Sequence, residues 1–196
     1  MMRKTHRAFA GAFWLGSTLA LDGLALKSGH DVPVSPVVVA AGVFVAPLFS
    51  SGIMSPDMDH QWAPGPPRNH YDWRFHRGFT HRVWFATVLT MVCGLIPFMG
   101  LLHAGLSASV GTLAFAPVNG WWSHLFGDMI FGRIKFGVWS FRLGRFWHWN
   151  VGLGWTTNGL AEKGGALWRD PAAKVSVAAS GVLVAGHLAL LVSAYS

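Results

Sequence analysis

Residues 76–102 read HRGFTHRVWFATVLTMVCGLIPFMGLL. From Val83 to Leu102 the stretch carries no charge, over a length that matches the roughly 20 residues a helix needs to cross a hydrocarbon layer. Its front end sets His76 and His81 among Arg77 and Arg82. An apolar run that begins against imidazole and guanidinium groups predicts a membrane helix with a ligand-bearing segment at its surface. Four other stretches have similar length and character: Ala8–Leu26, Val34–Ile53, Ser109–Ile130 and Ala172–Ala194. With 52% hydrophobic residues and a mean hydropathy of +0.39, the chain is too apolar for an ordinary soluble domain. The expected fold class is all-α: one polytopic membrane domain over residues 1–196 with about five transmembrane helices, the last near 172–194. Arg3, Lys4 and Arg7 precede the first run as they would in a signal peptide. That run exceeds the usual h-region of about 7–15 residues, and no small-x-small cleavage site follows it, so a retained helix is expected.

Basic residues set the expected orientation. Of the 15 Lys and Arg residues, only Lys27 falls outside the N-terminal segment, the loop between the second and third runs, and the region between or bordering the last two. The positive-inside rule then places the N-terminus and both long loops in the cytoplasm and the C-terminus outside. A net charge of +7 and a pI near 10.3 would suggest nucleic acid in a soluble protein. In an apolar chain, topology and anionic headgroups account for the charge, so membrane lipids are the favoured partner, nucleic acid is unfavoured, and no protein partner is expected. Aromatics interleaved with cations across Phe131–Trp155 fit a segment lying in the headgroup layer. The lone Cys93 excludes an internal disulfide and reads as a packing residue.

The scarce polar groups are concentrated. Residues 55–60 read SPDMDH, so Asp57, Asp59 and His60 precede His76 and His81 within one loop that Pro56, Pro64, Pro66 and Pro67 keep irregular. His124 and Asp128 in SHLFGD are four apart, which places them on one helix face. His6 immediately precedes the first run, and Glu162, the only glutamate, follows Asn158 by four. All nine map to the expected cytoplasmic side. Carboxylate oxygen and imidazole nitrogen are the ligand set of zinc, manganese or non-haem iron, and nine such groups would suit two or three ions. The expected metal ligands are thus His6, Asp57, Asp59, His60, His76, His81, His124, Asp128 and Glu162. Asp59 is also a candidate catalytic residue, and Glu162 could be a ligand or a proton shuttle. Arg77, whose planar fork matches phosphate oxygens, is a catalytic candidate that could neutralise phosphate on a substrate or equally anchor to a lipid headgroup. Asp22 and His187 lie toward the opposite ends of the first and last runs and could pair. His30, His70, His103 and His148 read as structural or solvated.

The elements PDMDH, HRGFTH and SHLFGD, with Thr-His near the N-terminus and a late Glu, resemble the YdjM-like family over about residues 5–165. The family is described as LexA-regulated, membrane-bound, metal-dependent hydrolases of the bacterial inner membrane. It is distantly similar to the zinc-dependent phospholipase C and single-strand nuclease superfamily. There, a His-x-x-x-Asp pair and a later His-x-x-x-Glu pair supply zinc ligands. His124/Asp128 match the first; Asn158/Glu162 stand at the second with Asn in place of His. The resemblance implies a multi-pass protein with zinc, or alternatively manganese, hydrolysing a phosphoester at the inner membrane surface, with a lipid or lipid-linked substrate. Two other classes share the residues: a divalent-metal or proton transporter, and a non-catalytic protein whose loops a metal staples together. Transporter sites usually lie near the midplane, whereas these groups cluster at one end.

Overall fold

A helix of 25 residues, α1 (Arg3–Lys27), opens the computed structural model, which describes residues 3–29, 34–51, 54–61, 79–131, 134–140, 145–151 and 171–195. Pro36 starts α2 (Pro36–Ser50) at the first helical position, where a missing N–H costs nothing. Two 3-10 turns follow, Pro56–Gln61 and Phe79–His81. Next, α3 (Val83–Leu89) runs through a π-helical segment, Thr90–Leu95, into α4 (Ile96–His103). Then come α5 (Ala108–Thr112), a 3-10 turn at Leu113–Phe115, and α6 (Ala116–Phe131). The hairpin strands β1 (Ile134–Ser140) and β2 (Arg145–Val151) precede α7 (Pro171–Tyr195).

The helical class holds, and among the described residues three helical segments are long and apolar enough to cross a membrane: Thr5–Lys27, Val83–His103 and Lys174–Ser193. The other two expected spans differ. Helix α2 has 15 residues, about 22 Å, short of a hydrocarbon layer of roughly 30 Å. The run Ser109–Ile130 is divided by the turn at Leu113–Phe115. Pro117 explains the division, since it donates no hydrogen bond and crowds the carbonyl one turn earlier. Pro97 stands in the same relation to the π-helical segment before it. Between α6 and α7, β1 pairs antiparallel with β2 from Ile134–Val151 to Ser140–Arg145, in a stretch rich in strand-favouring aromatic and branched residues.

Helix α1 is central, packing on α2, α6 and α7. Trp14 joins Ala10, Leu15, Val38, Val39 and Ala46 in the main core, and its indole N–H donates to Val39 O at 2.9 Å. Two glycines let the helices meet. A Cβ at Gly42 would overlap the Trp14 indole, and one at Gly120 would overlap the Ala46 carbonyl, so α2 lies directly against both α1 and α6. Side-chain bonds add register: Asn119 Nδ2 donates to Ser17 Oγ at 2.9 Å, and Trp122 Nε1 to Thr90 Oγ1 at 2.9 Å.

Asp22 and His187 do pair, at 3.3 Å, joining α7 to α1. His187 Nε2 lies 3.1 Å from both Leu15 O and Thr18 Oγ1, and Asp22 Oδ1 accepts from Val34 N–H. Helix α7 is otherwise mostly exposed, with Ser176 as its other buried polar residue among those described. His187→Leu is therefore expected to loosen α7 by about 1–3 kcal/mol, the cost of stranding a buried polar partner. Thermal unfolding in detergent checks the loss, and metal retention at the opposite helix ends should not change.

Candidate metal centre

Each donor arrives from a separate piece of backbone. His6 lies in the first turns of α1, and Asp57 in the 3-10 turn that follows α2. His81 ends the 3-10 turn before α3, while His124 and Asp128 share one face of α6. His6, His81, His124 and Asp128 are all buried, and Asp57 is partly exposed. The His6 and His124 rings stack with centroids 3.8 Å apart and an interplanar angle of 8°. His6 Nε2 is 3.5 Å from Asp128 Oδ1.

The chain orients these rings with backbone oxygens. His124 Nδ1 lies 2.6 Å from the carbonyl of Ser50, the last residue of α2. A carbonyl only accepts, so Nδ1 carries the proton and Nε2 presents its lone pair inward. Ser50 O is also one of the carbonyls a helix leaves without an intrahelical donor, so one bond satisfies the helix end and fixes the imidazole. Thr80 Oγ1 donates to Pro56 O at 2.7 Å and lies 3.4 Å from His81 Nδ1. That bond ties the turn bearing Asp57 to the turn bearing His81. Trp121 Nε1 donates to Thr80 O at 3.1 Å, and Arg7 Nε donates to Ser51 Oγ at 2.9 Å beside His6.

Four atoms then converge. His81 Nε2 and His124 Nε2 are 3.1 Å apart, and Asp57 Oδ1 lies 3.4 Å from the first and 3.5 Å from the second. Asp128 Oδ2 lies 3.8 Å and 3.7 Å from the same two nitrogens. A lone pair facing carboxylate oxygens and another imidazole nitrogen is repulsive unless a proton or a cation lies among them. For nitrogen and oxygen ligands at roughly 2.1 Å, tetrahedral coordination sets ligand atoms about 3.4 Å apart. The observed separations bracket that value, so the donor set fits a small divalent cation. Among the described residues two overlapping triads could hold an ion, His6/His124/Asp128 and Asp57/His81/His124, and they share His124, whose one free nitrogen serves a single ion at a time.

Burial opposes charge on Asp57, but the hydrogen bond from His81 and the fields of His124, His81 and His6 outweigh it. They hold the carboxyl well below the usual carboxylate range. Asp57 thus stays ionised through mild acid, and the imidazoles are the groups that let a metal go. Metal affinity is expected to fall as pH drops through the imidazole range, about 6.5 for an unperturbed ring, because each His must lose its proton to bind. Chelator-competition titrations between pH 5 and 8 check the sign. Thr80→Val, which removes the hydroxyl linking the two turns, should weaken metal binding about 10–100-fold while leaving every donor in place.

Of the nine expected ligands, the structure brings five together: His6, Asp57, His81, His124 and Asp128. Asp59 and His60 lie in the same 3-10 turn as Asp57, with side chains outside the described residues. His76, Arg77 and Glu162 fall outside the described residues altogether, as do Asn158, His30 and His70. His103 is exposed at the end of α4, and His148 stands opposite Gly137 in the hairpin. The sequence reading did not single out Ser50, Thr80 or Trp121. Thr80 had a signal in its place inside HRGFTH; Ser50 acts through its backbone, which no side-chain pattern reveals. Compared with protein-family models, curated proteins and solved structures, the chain matches none.

Proposed function

We propose that this protein is a membrane-bound, metal-dependent hydrolase acting on a phosphoester, with zinc as its metal and manganese as the alternative. The observation that carries the reading is the meeting of His6, Asp57, His81, His124 and Asp128 from separate segments at one end of the helices. The motif likeness to the YdjM-like family points the same way, as does the multi-pass bacterial inner-membrane setting it implies. Metal ions held there would supply Lewis acidity, polarising a phosphoryl oxygen and making a nearby water acidic.

The chain's own residues do the rest. Ser50 O keeps the His124 ring in one tautomer, and Thr80 keeps the two donor turns in register. Asp57, ionised and partly exposed, is the donor of the five that solvent reaches. Glu162 is the candidate proton shuttle, Arg77 the candidate partner of a substrate phosphate, and Asp59 a further catalytic candidate. His6 lies at the start of α1, Asp57 and His81 lie in turns, and His124 and Asp128 lie in the C-terminal half of α6, so the donors avoid the middles of the three long spans, which favours surface chemistry over midplane transport.

Purified protein in nanodiscs tests the reading. Metal per chain is measured first, then hydrolysis of p-nitrophenyl phosphate and bis-p-nitrophenyl phosphate, with His124→Ala as control. Metal-dependent turnover that the control lacks is the expected result. Metal counterflow into liposomes without turnover would replace the hydrolase with a transporter, and bound metal with neither activity would leave a structural staple.

A further inference from the structure

An apolar groove of about 240 Å³ runs beside α3, its walls including Met58, Phe85, Leu89, Cys93, Val118 and Trp121. Three of these are sequence neighbours of the metal donors. Met58 follows Asp57, Phe85 lies four residues after His81, and Trp121 lies three before His124. The Phe85 and Trp121 rings are 5.5 Å apart, and the Trp121 indole is bonded to the carbonyl of Thr80, next to His81. The donor cluster and the groove therefore share a wall. From that wall Phe85, Leu89 and Cys93 recur every fourth residue, which carries the groove about 12 Å along a helix. That helix is a candidate membrane span with little of its surface buried in the protein. The groove thus runs from beside the donor cluster along a candidate membrane span.

A polar centre beside an apolar channel, with one wall common to both, suits an amphiphile. The volume is too small for a peptide helix, which is about 10 Å across. A soluble phosphoester would occupy the centre and leave the groove without a role. We propose that the groove seats the aliphatic chain of a lipid phosphoester whose phosphate lies at the donor cluster. This rests on the hydrolase reading and narrows its substrate class to phosphates joined, directly or by a short linker, to a long apolar chain.

The test compares a long-chain and a short-chain phosphonate, which bind as phosphates do but resist hydrolysis. Zinc-loaded protein in phosphatidylcholine nanodiscs is titrated with dodecylphosphonate and methylphosphonate. Cys93 is exposed in the groove, so Cys93→Trp fills it with little risk to folding. Leu89→Trp repeats the block one turn nearer the donors. Val92→Trp, at an exposed residue of the same helix that does not line the groove, is the control for partition of the long chain into lipid. Both blocking variants are expected to weaken dodecylphosphonate binding about ten-fold and to leave methylphosphonate binding unchanged, with the control altering neither. Equal dodecylphosphonate affinity in all four proteins overturns the groove assignment while leaving the hydrolase reading intact. Failure of the zinc-loaded wild type to bind either phosphonate removes the phosphoester reading, and the chain site with it.

Discussion

Replacement of His124 by alanine is expected to lower metal affinity at least ~100-fold, more than the 10–100-fold typical of losing an outer partner of a metal ligand. It should abolish metal-dependent hydrolysis with it. The size of the effect follows from position. His124 is the one donor common to both triads, and its Nε2 is within 3.7 Å of Asp57, His81 and Asp128 donor atoms alike. The substitution also removes the stacking partner of His6 and the donor to Ser50 O. A stranded buried carbonyl costs about 1–3 kcal/mol, so the variant should also unfold earlier. His6→Ala separates the two effects, because His6 belongs to a single triad and leaves the bond to Ser50 in place. Metal stoichiometry by atomic emission and affinity by chelator competition are the measurements. Wild-type metal affinity in His124→Ala would mean that these side chains do not form the site.

Removal of the metal is the second large effect. Without a cation, Asp57, Asp128 and three imidazoles remain packed together, with His124 Nε2 facing carboxylate oxygens at 3.5 and 3.7 Å. An ion that binds only the folded state stabilises it by about 4 kcal/mol at a free concentration near 1,000 times its Kd. Treatment with EDTA is therefore expected to lower the unfolding temperature, and added zinc should restore it. The change should be much smaller in His124→Ala, which has little metal to lose. Identical unfolding of the treated and untreated wild type would rule out a metal bound by these donors.

How much of the site the sequence disclosed depends on the kind of signal. The pair His124/Asp128 was legible because four-residue spacing maps onto one helix face whatever the tertiary structure does. Asp57 and His81 were legible because the chain has few polar groups and collects them in one loop. His6 was the weakest of the five, an ordinary terminal histidine until α1 is laid against α6 and its ring stacks on His124. Ser50 was out of reach, since its part is played by a carbonyl that any residue type could supply. The expected spans at Val34–Ile53 and Ser109–Ile130 are helical too, but the first is shorter than expected and the second changes helix type partway. Hydropathy sums over a window, whereas proline acts on one hydrogen bond, so the 3-10 turn before Pro117 leaves no trace in the hydropathy of the run.

Taken alone, the sequence determined a helical, membrane-competent chain with few ionisable groups inside its apolar runs, because charge is too costly in hydrocarbon to be scattered along apolar helices. It also determined which residue types were available as donors. Only the tertiary structure decided that two imidazole nitrogens from Phe79–His81 and α6 come to 3.1 Å of each other with carboxylates on either side. That separation depends on how closely α2 lies on α1 and α6 at Gly42 and Gly120, and on which backbone oxygens the rings find there. Such contacts join residues far apart in the chain, and no local pattern encodes their distance.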